Sequence, residues 1–170
     1  MYSFKLNYLF LFIFFISCSD STSTKIVPSS TEFKPAATLT KTQRKFGQHV
    51  YVPIYSSIHH EGNLFQLTAT LSIRNISHTE AVIISEVTYY DTNGKLLKQF
   101  IPHPFSLGKM ASKDFVISMA DLSGGTGANF VVKWESDKPV AVPIIEAVMV
   151  GSQGTKGFSF VSRGKEIEIY

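Results

Sequence analysis

Phe65-Gln66-Leu67-Thr68-Ala69-Thr70-Leu71-Ser72-Ile73-Arg74 alternates without a fault: every odd position is apolar and every even position polar. A period of two is the signature of a β-strand, whereas a helical period of 3.6 would spread these apolar residues around the axis. A strand so patterned has one buried face and one wet face, which is how an antiparallel sheet packs one side on a core. Asn75 to Thr79 then break the pattern with turn-forming residues.

Working outward from this stretch, the chain keeps reading as strands. Ala81 to Tyr90 is rich in β-branched and aromatic residues, Asp91-Thr92-Asn93-Gly94 supplies a turn, and Lys95 to Ile101 continues beyond it. An Asn-Gly pair between two such runs is the strongest hairpin signal in the chain. Pro102 and Pro104 end that run, because neither has a backbone N–H to donate. Lys113 to Met119 and Ala128 to Glu135 alternate again, and Val140 to Val150 and Phe158 to Arg163 complete the set. Val50 to Tyr55, interrupted by Pro53, reads as an edge strand. No segment past residue 45 carries a helical stripe. The expected fold is therefore all-β, an immunoglobulin-like antiparallel β-sandwich of about seven or eight strands, with a small β-barrel as the alternative.

The N-terminus is different. Thirteen of the first seventeen residues are hydrophobic, Lys5 gives a short positive start, and Leu9 to Ile16 is an unbroken apolar run. This has the form of an export signal, and the run falls short of the roughly 20 residues a membrane-spanning helix needs. Phe15-Ile16-Ser17-Cys18 resembles the lipobox of bacterial lipoproteins, which implies lipidation of Cys18 as the first residue of the mature chain. Phe15 stands where that pattern usually has Leu. Ser19 in the next position, by the same resemblance, implies export to the outer membrane in a diderm source. Residues 1–17 are thus expected to be a lipoprotein signal peptide, 18–46 a Ser-, Thr-, Lys- and Pro-rich flexible tether, and 47–170 the β-sandwich domain.

The whole chain has 170 residues, 44% hydrophobic, with 16 basic and 13 acidic side chains. That length favours one domain, and 17% charged residues exclude a strongly charged disordered chain. Cys18 is the single cysteine, so an internal disulfide and a Cys-rich metal site are both excluded. The only basic cluster, Lys41, Arg44 and Lys45, lies in the tether, which gives no support to nucleic-acid binding.

Three groups of residues are candidates for chemistry. His59 and His60, beside Glu61, could contribute to a zinc or copper site if a third histidine approached, although adjacent residues on an extended chain point apart. Ser123, Gly124, Gly125 and Gly127 form a Gly-rich loop whose amides could cradle an anion, but it lacks the Gly-Lys-Ser/Thr of a phosphate-binding loop. Glu146 interrupts Pro143 to Val150, which is otherwise apolar on both faces, and a buried carboxylate needs a partner. Arg163 and Arg74 are the candidates, either as an ion pair or as part of a ligand site. No Gly-x-Ser-x-Gly elbow or marked carboxylate pair occurs, so no enzyme activity and no cofactor are expected.

VYVPIYSSIHH, LTATLSIRN, VTYYDTNGKLL, SGGTGANFVVKWES, PIIEAVMVGSQGTKGFSF and SRG, within residues 48 to 164, together resemble an uncharacterised bacterial envelope family, domain-of-unknown-function family 3124. The resemblance implies a small exported domain, often with a lipoprotein signal. It supplies no activity, and no catalytic or binding residue carries over. The expectation is a lipid-anchored envelope protein with a binding or scaffolding role, held to the membrane through its N-terminal lipid and partnered by another envelope protein. A periplasmic metal-binding protein using His59 and His60 is the alternative, and an envelope hydrolase comes third.

Overall fold

The computed structural model describes residues 46–169. The expected signal peptide, Cys18, and the tether with its Lys41, Arg44 and Lys45 cluster lie outside them, except Phe46, which belongs to the first strand.

Twelve strands run in chain order: β1 (Phe46–Pro53), β2 (Ser57–His60), β3 (Asn63–Gln66), β4 (Thr68–Arg74), β5 (Val82–Tyr90), β6 (Leu96–Gln99), β7 (Phe105–Leu107), β8 (Ser112–Ile117), β9 (Asn129–Ser136), β10 (Ile144–Gln153), β11 (Lys156–Arg163) and β12 (Lys165–Ile169). A single 3₁₀ turn, Gly125–Gly127, is the only helical piece among the described residues. The strands form two main antiparallel sheets. One has the order β12-β1-β9-β5-β6, with β7 also pairing β5, and the other the order β11-β10-β4-β8. β2 and β3 make a separate hairpin. Both main sheets are open, so the fold is a sandwich and the barrel alternative falls. β4 lies beside β8 in one sheet and β5 beside β9 in the other, the interlocked central pairs of an immunoglobulin-like sandwich. The flanks differ from that type, since β1 sits beside β9 and β10 beside β4.

The core lies between the sheets. From the four-stranded sheet, Ala69, Leu71 and Ile73 of β4 pair with Met149, Ala147 and Ile145 of β10, all buried. From the other, Val50 and Val52 of β1 face Val132 and Phe130 of β9, which in turn face Val87 and Tyr89 of β5. Residues of β5 change parity between Ile84 and Glu86, where Ser85 is an extra residue. That bulge lets Val82 and Ile84 on one side, and Val87 and Tyr89 on the other, all point inward. Trp134 satisfies its indole N–H by donating to the Gln48 side-chain carbonyl at 3.3 Å, and Gln48 Nε2 donates to Glu166 at 3.0 Å.

Several sequence expectations are corrected. β1 is an interior strand, paired with β9 on one side and β12 on the other. Pro53 is tolerated because it is the last residue of the strand, where it needs no donor. The alternating stretch from Phe65 is two strands, because the Leu67 amide turns away to donate to the Ser56 carbonyl at 2.9 Å. Its parity survives the break, and Leu67 is buried. The run expected from Val140 pairs only from Ile144, just after Pro143. The strand number exceeds eight because the stretch from Phe65 divides into β3 and β4, and because β2, β7 and β12 have three to five residues each, too few to show a period.

Candidate functional site

β10 alternates rather than being apolar on both faces. Ile145, Ala147 and Met149 are buried, while Ile144, Glu146, Val148 and Val150 point away from the core. Glu146 is therefore half-buried on the outer face of the four-stranded sheet and not inside the sandwich. The expectation of a buried carboxylate failed because outward positions here carry β-branched apolar residues, which mimic a two-sided core strand.

On this outer face the register builds two rows. Asp114, Ser72, Glu146 and Arg163 lie side by side across β8, β4, β10 and β11. One step along, Val116, Thr70, Val148 and Val161 form a mostly apolar row. Arg74 sits two residues from Ser72, opposite Ile144, and its Nε donates to Ser72 Oγ at 3.0 Å. The structure thus brings together all three residues singled out as ligand or ion-pair candidates: Arg74, Glu146 and Arg163 line one open cavity of about 430 Å³ with Ile144 and Gly164. Neither arginine makes an ion pair with Glu146 among the described residues. An ion pair lies elsewhere, Lys138–Glu80 at 2.9 Å, and His49 Nδ1 lies 2.7 Å from Glu168.

A second open cavity, about 580 Å³, lies at the other end of β11, lined by Ile58, His60, Lys156, Gly157 and Phe158. His60 belongs to the β2–β3 hairpin, whose turn Glu61-Gly62 has φ values of +48° and +78°. Positive φ at both central residues gives a two-residue turn of type I′, which fits the right-handed twist of the strands it joins. His59 and His60 are consecutive strand residues on opposite faces, and His60 Nε2 lies 3.9 Å from Glu61. Among the described residues, no three or more His, Cys, Asp or Glu side chains gather as a metal would require.

The Gly-rich loop has internal work. Thr92 Oγ1 donates to the Gly124 carbonyl at 2.9 Å and accepts the Gly127 amide at 3.0 Å, while the Ser56 hydroxyl donates to the Gly125 carbonyl at 2.9 Å. The Ser123 amide donates to Asp121 at 3.0 Å. Two of the donors an anion would need, the amides of Ser123 and Gly127, are already occupied. The loop also packs on a buried phenol. A Cβ built on Gly124 would fall 2.0 Å from the Tyr89 hydroxyl, so no larger residue fits there. That hydroxyl is buried without a hydrogen bond of ordinary geometry. Burial pushes its pKa above the ordinary 10.0, the charges of Asp121 and Asp91 add to the rise, and the nearby hydroxyls of Ser56 and Ser123 temper it.

Sequence reasoning passed over Asn75, buried just past β4. Its Nδ2 donates to the carbonyls of Glu80, Leu107 and Gly108, and its Oδ1 accepts the Ser77 amide. An Asn that ends an alternating run and is followed two residues on by Ser is the only signal available. Gly164 was also missed. A Cβ there would strike Val50 and the Ile145 carbonyl, so the chain can cross from β11 in one sheet to β12 in the other only without a side chain.

These features define a small all-β sandwich domain with an open cavity at each end of one edge strand. Residues 47–167 match the family described as protein of unknown function (DUF3124), and the chain belongs to that family. A search of curated proteins gives no match. Among solved structures, the crystal structure of Thermotoga maritima 1070 is similar at 15% identity, covering 69% of this chain and 92% of that one, with a TM-score of 0.43.

Proposed function

We propose that this is a lipid-anchored protein of the bacterial envelope whose sandwich binds another envelope protein without catalysing a reaction. The observation that carries this reading is the outer face of the four-stranded sheet. Val116, Ile144, Val150 and Val161 are between 45% and 55% exposed there, beside the Arg74, Glu146 and Arg163 cavity. An antiparallel sheet that only faced water would read polar on that side, as its threonines and serines partly do. An apolar patch rimmed by charge is the usual form of a protein contact surface. The lipobox-like Phe15-Ile16-Ser17-Cys18 supports the anchor and the envelope location.

A photo-crosslinking residue placed at Val150 in native membranes tests it. The expected result is an adduct of one mass that is absent when the probe sits at Met110, an exposed residue in the turn before β8. Val148→Lys, with an unchanged far-ultraviolet spectrum, should abolish the adduct. Equal labelling from both positions, or none from Val150, would show that the outer face is not the contact surface.

A further inference from the structure

We propose that the free edge of β11 is a strand-addition site for an extended segment of another protein, apolar in its middle and acidic at its ends. This rests on the reading of the domain as a binding module and names where the partner engages it. β11 pairs with β10 on one side only, and among the described residues no backbone group pairs with its outward edge. Unpaired edges invite another strand, and folded proteins usually guard them with charge or keep them short. The other edges are guarded in this way. β8 carries Lys113 and Asp114, β12 carries Lys165, Glu166 and Glu168, β6 carries Lys98, and β7 is three residues long. β11 has eight residues, the longest of these edges, and between Lys156 and Arg163 it carries no charge at all.

The two cavities lie at its two ends, about 20 Å apart along an extended chain. In strand addition, main-chain hydrogen bonds supply affinity and flanking pockets supply specificity. At the first end, Gly157 leaves room beside Ile58 and Phe158 for an apolar side chain, with the Lys156 ammonium next to it. At the second, Arg163 and Arg74 offer two guanidiniums without carboxylate partners among the described residues, and Glu146 offsets only one of them. A cation at each end of an uncharged strand selects a partner with an acid at each end. The same charges disfavour a second copy, because a facing β11 would bring two more cations and no acid to an edge that already ends in Lys156 and Arg163. Residues 38–45, with Lys41, Arg44 and Lys45, are equally unsuited.

The test uses the full chain in detergent micelles and fluorescence anisotropy of a capped, labelled peptide, EVTVTVTE, whose two acids have the spacing of Lys156 and Arg163. Saturable binding is expected. The same peptide N-methylated at alternate residues keeps its side chains but loses its main-chain donors, and should bind about tenfold or more weakly. KVTVTVTK should bind more weakly than EVTVTVTE, and Arg163→Glu should narrow or reverse that order while leaving the far-ultraviolet spectrum unchanged. No saturable binding, equal binding of the N-methylated peptide, or indifference to the end charges would overturn strand addition. So would a concentration-dependent dimer in sedimentation that Val161→Lys dissolves, which would assign the edge to self-association. If the Val150 adduct persists while the peptides fail, only the strand-addition mode is lost; if both fail, the binding reading goes with it.

Discussion

Tyr89 shows how a single side chain can explain its neighbours. Its ring packs on Phe130 with centroids 5.6 Å apart, and its hydroxyl presses on the backbone of Gly124. Because the phenol stays neutral in the folded chain beyond the pH at which the unfolded chain ionises it, it favours folding below about pH 10, and that contribution falls as pH rises further. Tyr89→Phe should therefore differ from the parent by no more than about 1 kcal/mol near neutral pH, since the hydroxyl has no strong hydrogen bond to lose. Above about pH 10 the variant should lose less stability than the parent. Urea midpoints measured at both pH values check this, and parallel losses in the two proteins would mean that the phenol ionises freely. The glycines around it were legible as a turn, but their cause was not, because the tyrosine lies more than thirty residues away in sequence.

At the scale of elements, period-two patterning located β4, β8 and β9 well, since each has an inward face that shows in the alternation. It failed where geometry intervened. The bulge at Ser85 shifts the parity of β5, and only the partner strand's register reveals it. Interior or edge status was not legible for β1, because strand order depends on pairings across the whole domain and Pro53 argued for the wrong side. The site was half legible. Glu146, Arg74 and Arg163, grouped from the sequence, line one cavity, but their outward orientation depended on which face of β10 met the core. Asn75 joins elements that sequence leaves apart, tying the β4–β5 connection to the β7–β8 turn. Asn75→Ala leaves buried carbonyls without donors and should cost about 2–3 kcal/mol. The expected signature is a lowered urea midpoint with an unchanged slope. A midpoint equal to the parent's would show that water replaces the amide.

For the whole molecule, the proposed function divides the work, with the sandwich supplying a surface and the N-terminal segment a location. Cys18→Ala should abolish palmitate labelling and move the protein from the membrane to the soluble fraction. The domain should keep its melting temperature, because the core is built from strands β1 to β12, which begin at Phe46. Continued membrane retention of the unlabelled variant would point to another means of attachment.

The interior position of β1 has a mechanical consequence. Everything N-terminal to residue 46 joins the domain through this strand, which is held by β9 along its full length and by β12 from Gln48 to Tyr51. A pull from that side cannot peel an edge strand away one hydrogen bond at a time. It must slide β1 past two antiparallel neighbours at once, loading many bonds in parallel. Under the proposed anchor, tension would enter the domain along this strand, which is the direction in which its pairing resists most.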